Sequence, residues 1–485
     1  MQRDERCVLT YSLFVLTCNR ARIPIASYAA GQRWGLLVGK VIAMFRTTRK
    51  VSHWSRLSFI VPLSLLALLV SACLPDGVRV PQNQLSGLLE RKSGLIAYLA
   101  TDGNIYTIDQ GGQHKTQITK DAFINTSTFL FYGLPTWSPD SQSIAFVSYT
   151  GVRGENPSSM SLFTAHKDGS KLTEALKSTD PLVFYYWAPD SRRVGFISST
   201  PSSNLAFQVV SADGVNKQLV DAGAPYYWAW APNSQTVLAH NGTHLSLLQV
   251  GDSVSEQALN FQPAEFKAPA FSPNGKQMLV AGAEANGNSA LLLADAQGQN
   301  VQALAEYTGT IAFVWSPDGQ RVAYLASDSP DPGSTGHLVV VDPSGKSKPV
   351  ERKGSDVYAF FWSPDSKSLA YFTEAQPPAS KTPTPTPNPS SSSSANFVLN
   401  VSVLDARSGS SHSVASFTPS ERFLALIPYF DQYNQSLTIW SPDSRNLVVS
   451  AYRSDGTPGV WVVESSGHLD PRFLAEGWMG FWSWH

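Results

Sequence analysis

The side chains able to do covalent or acid–base chemistry are few and scattered. Cysteine occurs three times, as Cys7, Cys18 and Cys73, and never in the 412 residues that follow. The bulk of the chain therefore has no disulfide framework, thiolate nucleophile or Cys-ligated zinc. The patterns G-x-S-x-G, H-E-x-x-H and G-x-x-x-x-G-K-[ST] are absent, which removes the nucleophile elbow, the zincin helix and the phosphate loop. His240 and His244 in "HNGTH" would share one face of a helix, as a metal pair does, but Asn-Gly between apolar runs marks a hairpin, so two solvated turn histidines are expected. The acidic turn "TDGN" at Thr101 to Asn104 could hold calcium. Ordinary turn geometry explains it equally, and no EF-hand spacing accompanies it. A glycan lyase or hydrolase would need carboxylates that converge, and Asp121, Glu265, Asp431 and Glu476 are scattered along the chain. No catalytic residue, metal ligand or cofactor is expected, and the protein reads as a non-enzymatic binding or scaffold module, with a channel-mouth enzyme or a purely structural envelope component as the alternatives.

If chemistry is not the business of these residues, a surface is, and its scaffold is written as a repeat. The phrase "PTWSPDSQSIAFVS" returns as "YYWAPDSRRVGFIS", "WAWAPNSQTVLAH", "PAFSPNGKQMLVAG", "FVWSPDGQRVAYLA", "FFWSPDSKSLAYFT" and "TIWSPDSRNLVVSA". Its prolines, Pro139, Pro189, Pro232, Pro273, Pro317, Pro364 and Pro442, are spaced 50, 43, 41, 44, 47 and 78 apart. Each interval has room for about four short strands, and the long one holds the insertion 376–396, "QPPASKTPTPTPNPSSSSSAN", whose composition cannot pack. Ser opens each turn, Pro fixes φ, Asp or Asn bonds local backbone, and Gly, Ser or Asn accepts the tight exit. The phrase is a hairpin corner between the first two strands of a sheet, and the Trp or Phe two places before Pro is expected to pack between neighbouring sheets.

The strands read as continuous apolar runs, so both faces of each sheet must be covered, as radial repetition of blades achieves. Through "WSPDG", "VAYLA" and "HLVVVD" the chain resembles the TolB-type, WD-repeat-like β-propeller repeat over residues 94–485. The resemblance implies an all-β propeller of four-stranded antiparallel blades. TolB's additional α/β domain has no counterpart, so its role in the Tol–Pal envelope system is not carried over. "GLIAYLATDGNIYTID" opens the body without a first strand and "GWMGFWSWH" closes it with only a first strand, so the C-terminal strand is expected to complete the first blade. First strands are marked by Trp137, Trp187, Trp230, Phe271, Trp315, Trp362, Trp440 and Trp482. Eight blades are expected, with seven the alternative if the fourth or fifth unit is irregular.

Ahead of the propeller lies an address. From Met44 a basic segment without acids leads into sixteen uncharged residues, Leu57 to Ala72, the plan of a secretory signal peptide and short for a permanent span. Val70-Ser71-Ala72-Cys73 resembles the lipobox of bacterial lipoproteins, in which the cysteine thiol receives a diacylglyceryl group. The resemblance implies a mature chain beginning at lipidated Cys73, held at a cell or outer membrane with its body outside the cytoplasm. Residues 1–43 read as an upstream extension, 44–72 as the signal peptide and 73–93 as a tether. Residues 1–72 carry ten Lys or Arg against two acids, leaving 26 basic and 35 acidic residues after them, a balance that argues against nucleic-acid binding.

The face opposite the motif turns carries the longer connections, including "TKDAFINTSTFLFYG", "SDSPDPGSTG" and "TPSERFLALIPYFDQYNQ", and such loops on rigid scaffolds hold most function. Aromatics gather there: Phe131, Tyr132, Tyr185, Tyr186, Tyr226, Tyr227, Tyr358, Phe360, Tyr429, Phe430 and Tyr433. They would either stack on sugars and peptides or pack between blades. Tyr185, Tyr227 and Tyr433 are the exposed candidates, and the expected partner is an envelope protein, peptide or glycan bound by a monomer.

Overall fold

A computed structural model of the chain describes residues 92–201, 204–331, 333–375 and 397–485. The signal segment, Cys73, nearly all of the tether and the 376–396 insertion lie outside the described residues. Every ladder between named strands is antiparallel, in seven sheets: five four-stranded ones at 182–223, 226–258, 270–306, 310–351 and 357–417, a five-stranded one at 123–178, and a six-stranded one that joins both ends of the described chain. Burial falls from the first strand outward. All six residues of Thr310–Trp315 are buried, whereas Val254–Ala258, a fourth strand, is exposed after its first residue. First strands therefore line the centre and fourth strands the rim, the plan of a propeller.

The count of seven corrects the expected eight. Strand Arg472–Trp482 pairs through Arg472 to Glu476 with Pro458–Glu464 and through Gly477 to Trp482 with Ile96–Ala100. One unbroken strand thus ends one repeat and begins the next, fusing two repeats into one sheet. The first strand of the Trp440 repeat is reduced to a single bridge between Trp440 and Leu447. The fourth and fifth units, where irregularity was the alternative, both form four-stranded sheets, although the first strand of the fourth is only Ala270–Phe271.

The motif aromatics pack between sheets as expected. Seven of them, the tryptophans, are at most 6% exposed, and Phe271 is half-buried. At four of the seven the structure adds a reason for tryptophan: the indole N–H donates to the backbone carbonyl just before the motif aromatic of the preceding repeat. Trp137 reaches Phe481 O at 3.2 Å, Trp187 Thr136 O at 3.2 Å, Trp362 Val314 O at 3.2 Å and Trp440 Phe361 O at 2.9 Å. A second link joins the turns themselves. Ser191, Ser366 and Ser444 sit at φ of 59°, 59° and 60°, a left-handed conformation that favours glycine. Each hydroxyl accepts the backbone N–H of Asp140, Asp318 or Asp365 in the preceding turn, at 3.0, 3.0 and 3.1 Å. Ser141 likewise accepts the His485 N–H at 2.9 Å, and Ser93 that of Asp443 at 3.1 Å within the six-stranded sheet.

Candidate functional site

The connection entering the Trp440 repeat is not an open loop. It folds into helix α1 (Glu421–Leu426), a 3-10 turn (Ile427–Tyr429) and helix α2 (Phe430–Tyr433). Ser420 caps α1, its Oγ accepting the Phe423 N–H at 3.3 Å and donating to Trp478 O at 2.5 Å. Phe423, Leu426, Ile427 and Phe430 are buried and recur at i, i+3, i+4 and i+7, one face of a helix. That signal, with the Ser cap, was available in the sequence and would have identified the segment.

This segment lies across the propeller axis, because it meets all seven sheets. Thr136 donates to Ser436 O at 2.8 Å, Tyr186 donates to Gln435 at 3.0 Å, and Phe430 packs on Phe360 with centroids 4.9 Å apart. Gln435 donates to Pro269 O, ahead of the 270–306 sheet, at 3.2 Å. Pro428 closes on Gly333 of the 310–351 sheet, Tyr429 shares a cavity with Tyr227, and Ser420 holds the six-stranded sheet through Trp478. Only a segment near the axis can reach every sheet of a ring. The chain thus supplies its own plug on the face of elaborated loops.

Most of the aromatics expected on that face are structural. Tyr185 is 4% exposed and donates to Leu134 O at 2.7 Å, so it is inter-blade packing and not an exposed platform. Tyr433, also expected to be exposed, is half-buried against Phe184, 5.2 Å between centroids. Tyr226, Tyr186, Phe360 and Phe430 are buried. Tyr227 is half-buried and Tyr429 is 40% exposed, and both reach one cavity.

That cavity, about 80 Å³, is lined by Tyr227, Phe266, Lys267, Ala268, Pro428, Tyr429, Asp431 and Gln432. Tyr227 comes from the first strand Tyr226–Trp230, residues 266–268 from the run into the next sheet, and the rest from the plug. The Tyr227 and Phe266 rings stack at 4.6 Å and 16°, and His240 packs on the far ring at 4.7 Å from Phe266. His240 Nδ1 lies 2.8 Å from Lys267 O. A carbonyl only accepts, so Nδ1 carries the proton and fixes the backbone beside the cavity. The hairpin expected at "HNGTH" is present, but His240 is buried rather than solvated. Burial holds its pKa below the ordinary 6.5, opposed by the Lys267 carbonyl. Asp431 is shifted the other way: desolvation pushes its carboxyl up against the opposing pull of Lys267.

The other carboxylates have separate structural tasks. Asp121 accepts the Tyr132 O–H at 2.8 Å. Glu265 accepts Thr310 Oγ1 at 2.8 Å and the Ile311 N–H at 2.9 Å, stapling two sheets, and Glu476 meets Arg453 at 3.5 Å. Asp102 of "TDGN" accepts the Asn104 N–H at 2.9 Å and the Tyr106 O–H at 2.7 Å, an ordinary turn. No three His, Cys, Asp or Glu among the described residues are grouped to hold a metal ion. A larger cavity of about 360 Å³ lies between motif-face turns, against Gln277, Gly319, Gln320 and Asp342. Its carboxylate is occupied by the N–H and hydroxyl of Ser344 at 2.8 and 2.6 Å.

No known family matches the chain, and no curated protein matches it. Solved structures similar to it include a dihydro-heme d1 dehydrogenase, 13% identical over 85% of this chain and 78% of that one, with a TM-score of 0.49. An oligogalacturonate lyase in complex with manganese is 12% identical over 77% and 97% of the two chains, with a TM-score of 0.45. TolB from Acinetobacter baumannii is 14% identical over 84% and 87%, with a TM-score of 0.36. These likenesses are of fold alone, and the molecule's own strands are those of a β-propeller with four-stranded antiparallel blades.

Proposed function

We propose that the protein is a non-enzymatic binding module, monomeric and lipid-anchored at Cys73, that presents its plugged face to a partner outside the cytoplasm. The observation that carries this reading is the plug itself. The axial position that a channel-mouth enzyme would need is occupied by residues 420–438, and at the plug's edge remains a small cavity of aromatic and charged side chains. Asp121, Glu265 and Glu476 each have partners elsewhere, and none of the three lines the cavity beside Asp431, which supports a binding reading over a pair of carboxylates acting on a glycan. Ser93, near the start of the described residues, accepts the Asp443 N–H of a motif turn, so the described chain begins on the face opposite the plug.

The test is capture of an envelope partner or glycan by the full chain purified from the membrane fraction, beside Tyr227→Ala/Tyr429→Ala. Retention by the parent and loss by the double variant is expected. Equal retention would move the site off the plugged face, and turnover of a captured glycan would sink the non-enzymatic reading. In the same preparation Cys73→Ser should lose the lipid mass and leave the membrane fraction; unchanged fractionation would refute the anchor.

A further inference from the structure

The side chains around the plug-edge cavity narrow what it can take, if the binding-module reading above holds. Lys267 and Asp431 both line it, yet no ion pair joins them among the described residues. One Asp431 oxygen accepts the Gln432 backbone N–H at 2.9 Å; the other oxygen and the Lys267 ammonium keep their capacity for a ligand. Beside this donor and acceptor lies the stacked pair Tyr227 and Phe266, 4.6 Å apart and nearly parallel. Pro428 and Tyr429 of the plug also line it.

Each class of ligand meets a different balance here. An ammonium or guanidinium would gain Asp431 and the aromatic faces but stand against Lys267, and a carboxylate or phosphate would gain Lys267 and stand against Asp431. An aliphatic side chain would bury both charged groups without hydrogen bonds, which disfavours it. A polyol with one apolar face suits all of them: its hydroxyls both accept from an ammonium and donate to a carboxylate, and its C–H face lies on a flat ring. A cavity of about 80 Å³ admits one edge of a six-membered sugar ring, with the rest of the chain of sugars running out over the plug.

We propose that this cavity is a subsite for an uncharged pyranose unit of a glycan, with Tyr227 beneath the C–H face and Asp431 and Lys267 sharing its hydroxyls. A single edge-on contact gives weak affinity, about millimolar for one sugar, and tighter binding comes from several units or several copies.

The experiment is titration of the full chain with neutral methyl hexopyranosides and their oligomers, a hexosamine, a hexuronate and a lysine-rich peptide, read by ligand-observed NMR and calorimetry. Neutral sugars should bind saturably and best. Asp431→Asn, which preserves shape, should weaken them about tenfold, Tyr227→Ala should abolish binding, and Tyr227→Phe should restore it, which separates loss of the ring from loss of fold. No saturable response to any neutral sugar up to about 50 mM overturns the proposal. So does tighter binding of the hexosamine, hexuronate or peptide. A peptide response lost in Asp431→Asn would overturn the sugar while leaving the binding module intact, whereas capture lost to neither Tyr227→Ala nor Tyr429→Ala would overturn the sugar subsite and move the module's site off the plugged face.

Discussion

The ring is made of two unlike arcs. At four interfaces, those flanking the six-stranded sheet and those entering the 182–223 and 357–417 sheets, an indole N–H and a serine hydroxyl both cross between neighbours. At the three successive interfaces from 182–223 to 310–351 neither link is made among the described residues. The Trp230 and Trp315 N–H groups are buried without a partner, Phe271 has no N–H to give, and Gly275 and Gly319 stand where a serine would. There the sheets are held by side-chain packing, as between Phe207 and Trp228, and by Arg193, which reaches the Ser234 carbonyl. Both cavities described above open on this second arc. The same written motif therefore produces one arc stitched by these two bonds and another joined by different ones, such as Thr310 to Glu265 at 2.8 Å and Tyr186 to Trp228 O at 3.0 Å.

The plug spans both arcs, so removing its anchor should have the largest effect. Phe430→Ala is expected to cost about 3–5 kcal/mol, measured as a shift in the denaturant midpoint. A loss under about 1 kcal/mol would mean that the plug is not part of the core. A more selective cut compares two tryptophans. Trp362→Phe removes the indole's bond to the Val314 carbonyl, which keeps its place in the ladder with Ala323, and should cost about 0.5–1.5 kcal/mol. Trp315→Phe deletes a donor that has no partner and should cost clearly less. Equal losses would erase the distinction between the arcs. The smallest effect tests whether a stitch can be added. At Gly319, φ 67°, a Cβ would meet Pro273 Cδ at an ordinary 3.4 Å, and a serine hydroxyl could accept the Asn274 N–H. Left-handed strain of about 1 kcal/mol is then offset by a hydrogen bond of similar size. Gly319→Ser should be near neutral and Gly319→Ala worse by about 1 kcal/mol; no difference between them would show that the hydroxyl finds no donor.

The propeller was legible because its punctuation is local. A Ser-Pro-Asp corner specifies its own hairpin through φ at proline and the Ser–Asp contact, seen again at Ser316 and Asp318 at 2.6 Å, and needs nothing from the rest of the molecule. The sheet count was not legible, because whether Arg472–Trp482 bends between repeats or runs straight through is settled by pairing at both ends, not by its own residues. The plug was half legible: the helical period of Phe423, Leu426, Ile427 and Phe430 is in the sequence, but its place on the axis depends on Thr136, Pro269 and Phe360 far away. The same holds for the site. Aromatic residues before first strands were visible, yet whether a given ring meets solvent or the next blade is decided by its neighbour, which is why Tyr185 fell inside and Tyr227 did not.

The shared strand at the seam also sets a clock. Leu95 and Ser483 exchange hydrogen bonds, with Leu95 N–H donating to Ser483 Oγ at 3.0 Å and Ser483 N–H to Leu95 O at 2.8 Å, across 388 positions of sequence. At ribosomal rates of roughly 5–20 residues per second, the strand Ile96–Ala100 waits about 20–80 s after its own synthesis before its partner exists. Throughout that interval its apolar edge is unpaired, an invitation to aggregation. Pairing of this edge is therefore set by when Arg472–Trp482 becomes available, not by how fast any blade forms on its own.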